Sequence, residues 1–136
     1  MTLRGVVVRG AGLGRRLGFP TANLKVSRRR FPPYGVYRVE ASWRGGGGRR
    51  AGVCSVGVRP TLGPSGEVWV EVHILDFDGD LYDRTLEVGF FEKLRGEERF
   101  DSLAALVAQI RRDVAAVRAA CRRAAGRPAG RRKTRA

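Results

Sequence analysis

Val68, Val70, Val72 and Ile74 alternate with Trp69, Glu71, His73 and Leu75. A period of two marks a strand with one buried face, and it puts Glu71 and His73 on the face opposite the valine row. A face open only to water would rarely carry Trp69 and Leu75, so that second face is expected to be partly covered. The strand spans residues 67–77, and segments 3–9, 35–43, 50–58 and 81–94 have the same extended character. Each is rich in Val, Tyr, Phe or Trp and bounded by Gly, Pro or Asp. Asp78-Gly79-Asp80 falls between 67–77 and 81–94. An Asp-Gly pair supplies the positive φ angles of a type I′ turn, which predicts a tight hairpin there.

From Asp101 the period changes. Leu103, Leu106, Val107, Ile110, Val114, Val117 and Cys121 recur at steps of three and four, with Arg111, Arg112, Arg118, Arg122 and Arg123 around them. This predicts an amphipathic helix over about 101–124, capped by Asp101, with Phe100 as the apolar residue that fixes its entry angle. Residues 126–136, GRPAGRRKTRA, offer no apolar face and are expected to form a disordered basic tail. One domain over residues 1–125 follows. Antiparallel strands and one terminal helix favour a small closed barrel with the helix packed on its outside, because closure removes exposed strand edges. An open sandwich is the alternative.

Composition narrows the chemistry. The 136 residues allow one core, and 27 Lys and Arg against 13 Asp and Glu give a net charge of +14. Such a surplus implies a polyanionic or phosphorylated partner. Residues 111–136 hold ten basic residues and one Asp, which is +9 of that total and leaves the body only mildly basic. With His73 as the sole histidine, mechanisms needing a histidine pair are excluded. Cys54 and Cys121 are too few for a thiolate metal site or a disulfide framework and read as buried, reduced thiols. No apolar run reaches the ~20 residues of a membrane span, and the N-terminus lacks a secretory signal, so a soluble cytoplasmic protein without membrane contact is expected.

Two neighbouring segments carry candidate chemistry. Residues 9–18, RGAGLGRRLG, follow a strand and combine four glycines with adjacent arginines. Glycine lets backbone N–H groups approach a phosphate closely, and Arg adds forked donors. The spacing fits neither a Walker loop nor a dinucleotide fingerprint, and a plain glycine-rich loop accounts for it equally well. In Phe19-Pro20-Thr21-Ala22-Asn23-Leu24, Thr21 and Asn23 stand two apart, so in an extended segment their side-chain oxygens point the same way. Two neutral oxygens beside bound phosphates suit Mg²⁺, while a turn in which both side chains satisfy local backbone is the plainer account.

The run GVVVRGAGLGRRLGFPTANL resembles the opening of the bacterial riboflavin kinase module, the flavokinase half of the bifunctional riboflavin kinase/FAD synthetase. The similarity continues in order through PPYGVY, GVCSVGVRPT, VEVHILDFDGDLYD, LRGEERFDSLAALVAQI and RRDV, covering residues 5 to about 118. The resemblance implies a closed six-stranded antiparallel Greek-key barrel with a C-terminal helix, all-β apart from that helix. It implies transfer of the ATP γ-phosphoryl group to the riboflavin 5′-hydroxyl, giving FMN and ADP with Mg²⁺ or another divalent cation. By the same resemblance Thr21 and Asn23 help bind the metal and the nucleotide phosphates. Residues 10–18, with Gly10, Gly12, Gly14 and Arg15, form a flap over ATP. Glu71 is the catalytic base, and Arg95 and Phe100 lie on the flavin side.

The chain departs from the usual family pattern at Ser55, where an Asn is typical, and at Asp83, where glycine is common. The single histidine rules out the histidine-pair nucleotidyl motif, so FAD synthesis is not expected; a monofunctional kinase and a piece of a longer bifunctional chain both fit the sequence. Two other classes stay open. One is a degenerate flavin-binding domain. The other is a basic nucleic-acid-binding barrel, which is disfavoured because most of the charge sits on the helix and tail, where it would hold nucleic acid only non-specifically.

Overall fold

The computed structural model describes residues 1–10, 13–26, 30–59 and 67–126. The expected disordered tail, from residue 127 on, lies outside the described residues. The elements are β1 (Thr2–Val8), α1 (Leu13–Arg16), β2 (Ala22–Lys25), β3 (Gly35–Ser42), β4 (Arg50–Arg59), β5 (Glu67–Ile74), β6 (Thr85–Arg95) and α2 (Leu103–Ala125). The strands close into an antiparallel barrel in the order β1-β2-β5-β4-β3-β6. β3, β4 and β5 are sequential neighbours and β2 returns to lie beside β5, which is a Greek key. An open sandwich is excluded by the β1–β6 pairing, from Thr2 opposite Gly89 to Val6 opposite Thr85.

Alternation fills the interior. Leu3 and Val7 of β1, Leu24 of β2, Val39 and Ala41 of β3, Cys54 and Val56 of β4, Val70, Val72 and Ile74 of β5, and Leu86 and Val88 of β6 form one buried cluster. Outside the barrel, Val36, Val53 and Leu75 pack with Val117 of α2 in a second, smaller cluster. The non-valine face of β5 is thus partly roofed, which accounts for Leu75.

Three local expectations are corrected, and one strand had not been expected. Asp78-Gly79-Asp80 makes no hairpin, because β5 pairs with β2 and β4 while β6 pairs with β1 and β3. The segment belongs instead to a crossover, where the Tyr82 N–H donates to Asp80 Oδ1 at 2.8 Å. β2 had no apolar run to announce it, since four residues are too short for a period to register. The α2 cap is Ser102, not Asp101: Ser102 is extended (φ −150°, ψ 160°) and its Oγ accepts from the Ala105 N–H at 3.1 Å. Finally, Cys54 is buried but Cys121 is exposed. The buried face of α2 runs through Asp113, Val117 and Ala120, rotated away from Cys121, and Leu103 is 59% exposed.

Candidate active site

The outer face of the barrel carries a cross-strand row. In β-sheet register, Asn23 of β2 stands opposite Glu71 of β5, Glu71 opposite Ser55 of β4, Ser55 opposite Val36 of β3, and Val36 opposite Arg95 of β6. Directly opposed residues share a face at Cα separations of about 4.5–5.5 Å. Asn23 and Glu71, far apart in sequence, are therefore neighbours, while Arg95 lies three strands from Glu71 around the same outer face. Ser55 also lies in this row, in a strand rather than a loop, beside Glu71.

Asn23 is only 7% exposed, and its Oδ1 is buried with no hydrogen-bond partner among the described residues. A buried carbonyl oxygen without a partner costs roughly 1–3 kcal/mol, so this oxygen is a candidate to accept from or ligate a bound group. The carboxamide lies directly against Gly10 at the end of β1, where a Cβ would overlap it. Glycine is required there by close approach, which gives this member of the glycine-rich segment a concrete role. The neutral, hard oxygen donor suits a divalent cation that takes its remaining ligands from phosphate and water. Thr21 precedes β2 and is half-buried.

Thr21 and Arg15 share a cavity of about 50 Å³ at the barrel mouth with residues 77–82 of the crossover. Arg15 and Gly14 lie in α1, a four-residue helix where a loop was expected, and the Gly18 N–H closes it onto the Arg15 carbonyl at 3.1 Å. Gly12 lies outside the described residues. Two groupings thus appear: Gly10, Asn23 and Glu71 on the outer row, and Arg15 and Thr21 at the adjoining mouth.

His73 is engaged elsewhere. Its Nδ1 is 2.8 Å from the Pro20 carbonyl oxygen, and since a carbonyl can only accept, Nδ1 carries the proton and donates. The ring also meets Phe19 edge-on at 5.7 Å. His73 therefore pins the Phe19–Pro20 peptide, and with it the approach to Thr21.

Arg95 and Phe100 are together, the guanidinium carbon 5.7 Å from the ring centroid. The Arg95 fork is not turned to solvent: Nε donates to Asp113 Oδ1 and Oδ2 at 3.1 and 3.2 Å, and Nη2 donates to Oδ2 at 2.9 Å. Asp113 and its partner Gln109 escaped the sequence reading. The signal was present, since Asp113 falls on the apolar stripe between Ile110 and Val117, where an acid needs a partner.

Comparison with known proteins identifies the family of the chain. The family profile described as "Flavokinase: Riboflavin kinase" matches residues 1–121. The chain is 50% identical over 122 residues to the bifunctional riboflavin kinase/FMN adenylyltransferase of Pseudomonas fluorescens, covering 86% of this chain and 37% of that protein. It superimposes on the riboflavin kinase of Trypanosoma brucei with a TM-score of 0.62 at 27% identity, over 89% of this chain and 79% of that one. A Streptococcus pneumoniae structure described as a macrolide-efflux protein gives a TM-score of 0.78 at 36% identity, over 86% of this chain and 38% of that one. The chain belongs to the riboflavin kinase family. Among the described residues, no helix is long and apolar enough to cross a membrane.

Proposed function

We propose that this chain transfers the γ-phosphoryl group of ATP to the 5′-hydroxyl of riboflavin, giving FMN and ADP. The observation that carries the reading is the buried, unpartnered Asn23 Oδ1 standing in register with Glu71. It joins a donor suited to a cation with a carboxylate suited to a hydroxyl proton, one strand apart.

Phosphoryl transfer asks a protein mainly for alignment and charge compensation, with one group to take the proton of the attacking hydroxyl. Asn23 and Thr21 would hold a divalent cation, Mg²⁺ in this proposal. When bound, the cation draws charge from the phosphate oxygens. Arg15, beside Thr21 at the barrel mouth, supplies positive charge and forked donors for the nucleotide phosphates. Gly10 keeps the Asn23 carboxamide in place by leaving room for it. Glu71 accepts the proton as the hydroxyl oxygen bonds to the γ-phosphorus. The bond from that phosphorus to the bridging oxygen breaks, and ADP leaves with the electron pair. Segment 95–100, with Arg95 and Phe100, forms the flavin side.

Purified protein incubated with riboflavin and ATP, with FMN followed by chromatography, tests the reading. FMN is expected with Mg²⁺ and should vanish on chelation. No FMN under either condition would overturn it.

A further inference from the structure

The RRDV motif holds an aspartate with no place in the proposed chemistry, yet Asp113 is among the most enclosed charged groups described, at 4% exposure. Three hydrogen bonds from Arg95 converge on its carboxylate. A fourth comes from Gln109, whose Nε2 donates to Oδ1 at 3.0 Å. Gln109 is itself oriented by Arg112, whose Nη2 donates to Gln109 Oε1 at 2.7 Å. A relay on α2 therefore aims one carboxylate at the last residue of β6.

What Arg95 carries is the segment between β6 and α2. Arg95 Nη1 donates to the Gly96 carbonyl at 3.4 Å and lies 3.8 Å from Glu98 Oε1, and its guanidinium sits over Phe100. The segment is folded back onto the barrel. The Glu97 carboxylate rests against Gly57 of β4 so closely that a Cβ there would overlap Oε1. Gly57 stands opposite Trp69, two residues along from the Ser55–Glu71 pair. The segment is thus seated on the same outer face as Glu71, hung from Asp113 at one end.

We propose that Asp113 is a positioning residue for acceptor binding: by holding Arg95 it keeps segment 96–102 seated beside Glu71, so its loss weakens riboflavin binding and leaves ATP binding intact. The inference rests on the proposed function and deepens it. A purely structural role predicts something different. α2 has a second tether to the barrel, Arg118 to Asp76, with Nη1 and Nη2 donating to the two carboxylate oxygens at 2.9 and 2.8 Å. That tether touches neither Arg95 nor the segment.

The test uses the full chain as wild type, Asp113→Asn, Asp113→Glu, Gln109→Met and Asp76→Asn. The KM values for riboflavin and for MgATP are measured separately, and riboflavin affinity is measured by fluorescence quenching with MgADP present. Asp113→Asn should raise the riboflavin KM and Kd by about tenfold, since a bidentate charged partner is lost, with the ATP KM changed less than about twofold. Asp113→Glu should recover part of that loss. Gln109→Met keeps the Arg95 pair but removes the second donor to Oδ1, so a riboflavin shift of about two- to threefold is expected even if Asp113→Asn fails to fold. Asp76→Asn should shift neither KM. Equal rises in both KM values, or the same riboflavin shift in Asp76→Asn, would overturn the inference as mere loosening of the helix. A wild type that makes FMN beside an Asp113→Asn protein with unchanged riboflavin constants would also overturn it. A wild type that neither binds riboflavin nor makes FMN would instead overturn the kinase reading on which it rests.

Discussion

Asn23 and Glu71 came to notice by different routes. Eight residues of strict alternation put Glu71 on the face opposite a valine row, but its role as base came from the family resemblance alone. Asn23 sits in a four-residue strand that no periodicity reveals, and neither its burial nor its missing partner leaves a trace in residue type. Asp113 was hidden differently: its place on the apolar stripe of α2 called for a partner, but nothing local pointed to Arg95 on β6. The close approach of Gly10 to Asn23 leads to a direct expectation. A methyl at Gly10 must displace the carboxamide, and overpacking of this kind costs about 1–3 kcal/mol. Gly10→Ala should therefore raise the ATP KM by about tenfold or more while riboflavin affinity holds; unchanged nucleotide kinetics would contradict the placement. The cysteines differ in the same concrete way. Cys121 is exposed and Cys54 is sealed in the barrel, so a thiol reagent should label one cysteine in the native protein and two in denaturant, with peptide mapping to identify the first.

The crossover from β5 to β6 shows why an element can be read correctly while its partner is not. Asp78-Gly79 carries strong turn chemistry, and the chain does turn there, but local preference cannot say which strand the next one joins. In a Greek key the pairing is set by closure of the whole sheet. The same crossover holds Asp83 at φ +65°, a left-handed conformation that costs a residue with a Cβ roughly 1–2 kcal/mol. This gives physical content to the departure from glycine at that position. Asp83→Gly should stabilise the protein by about 0.5–1 kcal/mol after the entropy of glycine is counted, and a lower midpoint in a urea titration would contradict it. α2 supplies a second case. Its cap rests on Ser102 Oγ, so Ser102→Ala should cost about 1 kcal/mol, whereas Asp101→Ala should cost far less; the reverse order would restore Asp101 as the cap.

Across the whole molecule, the barrel serves as a rigid frame whose outer row brings residues 23, 71 and 55 side by side and continues through Val36 to Arg95, while α2 buttresses the Val36–Arg95 end of that row. Burial in this frame also sets a pH limit. Enclosure pushes the Cys54 thiol well above its ordinary value of about 9. Below that pH both folded and unfolded chains keep the proton, and the thiol contributes no pH dependence. Above it the unfolded chain loses the proton while the folded chain retains it, so stability falls as pH rises, by on the order of 1 kcal/mol per pH unit. Burial raises Tyr37 as well, which acts in the same direction at higher pH. Cys54→Val should flatten the decline just above pH 9; an equally steep decline in that variant would assign it to other groups. The central claim is that Glu71, in register with the Asn23 donor, takes the riboflavin hydroxyl proton. The most direct measurement compares the rate of FMN formation by wild type and Glu71→Gln under saturating riboflavin and MgATP, with riboflavin affinity measured alongside. The account predicts that turnover falls about a hundredfold or more while affinity stays within a few fold. Turnover in Glu71→Gln equal to that of wild type would contradict it.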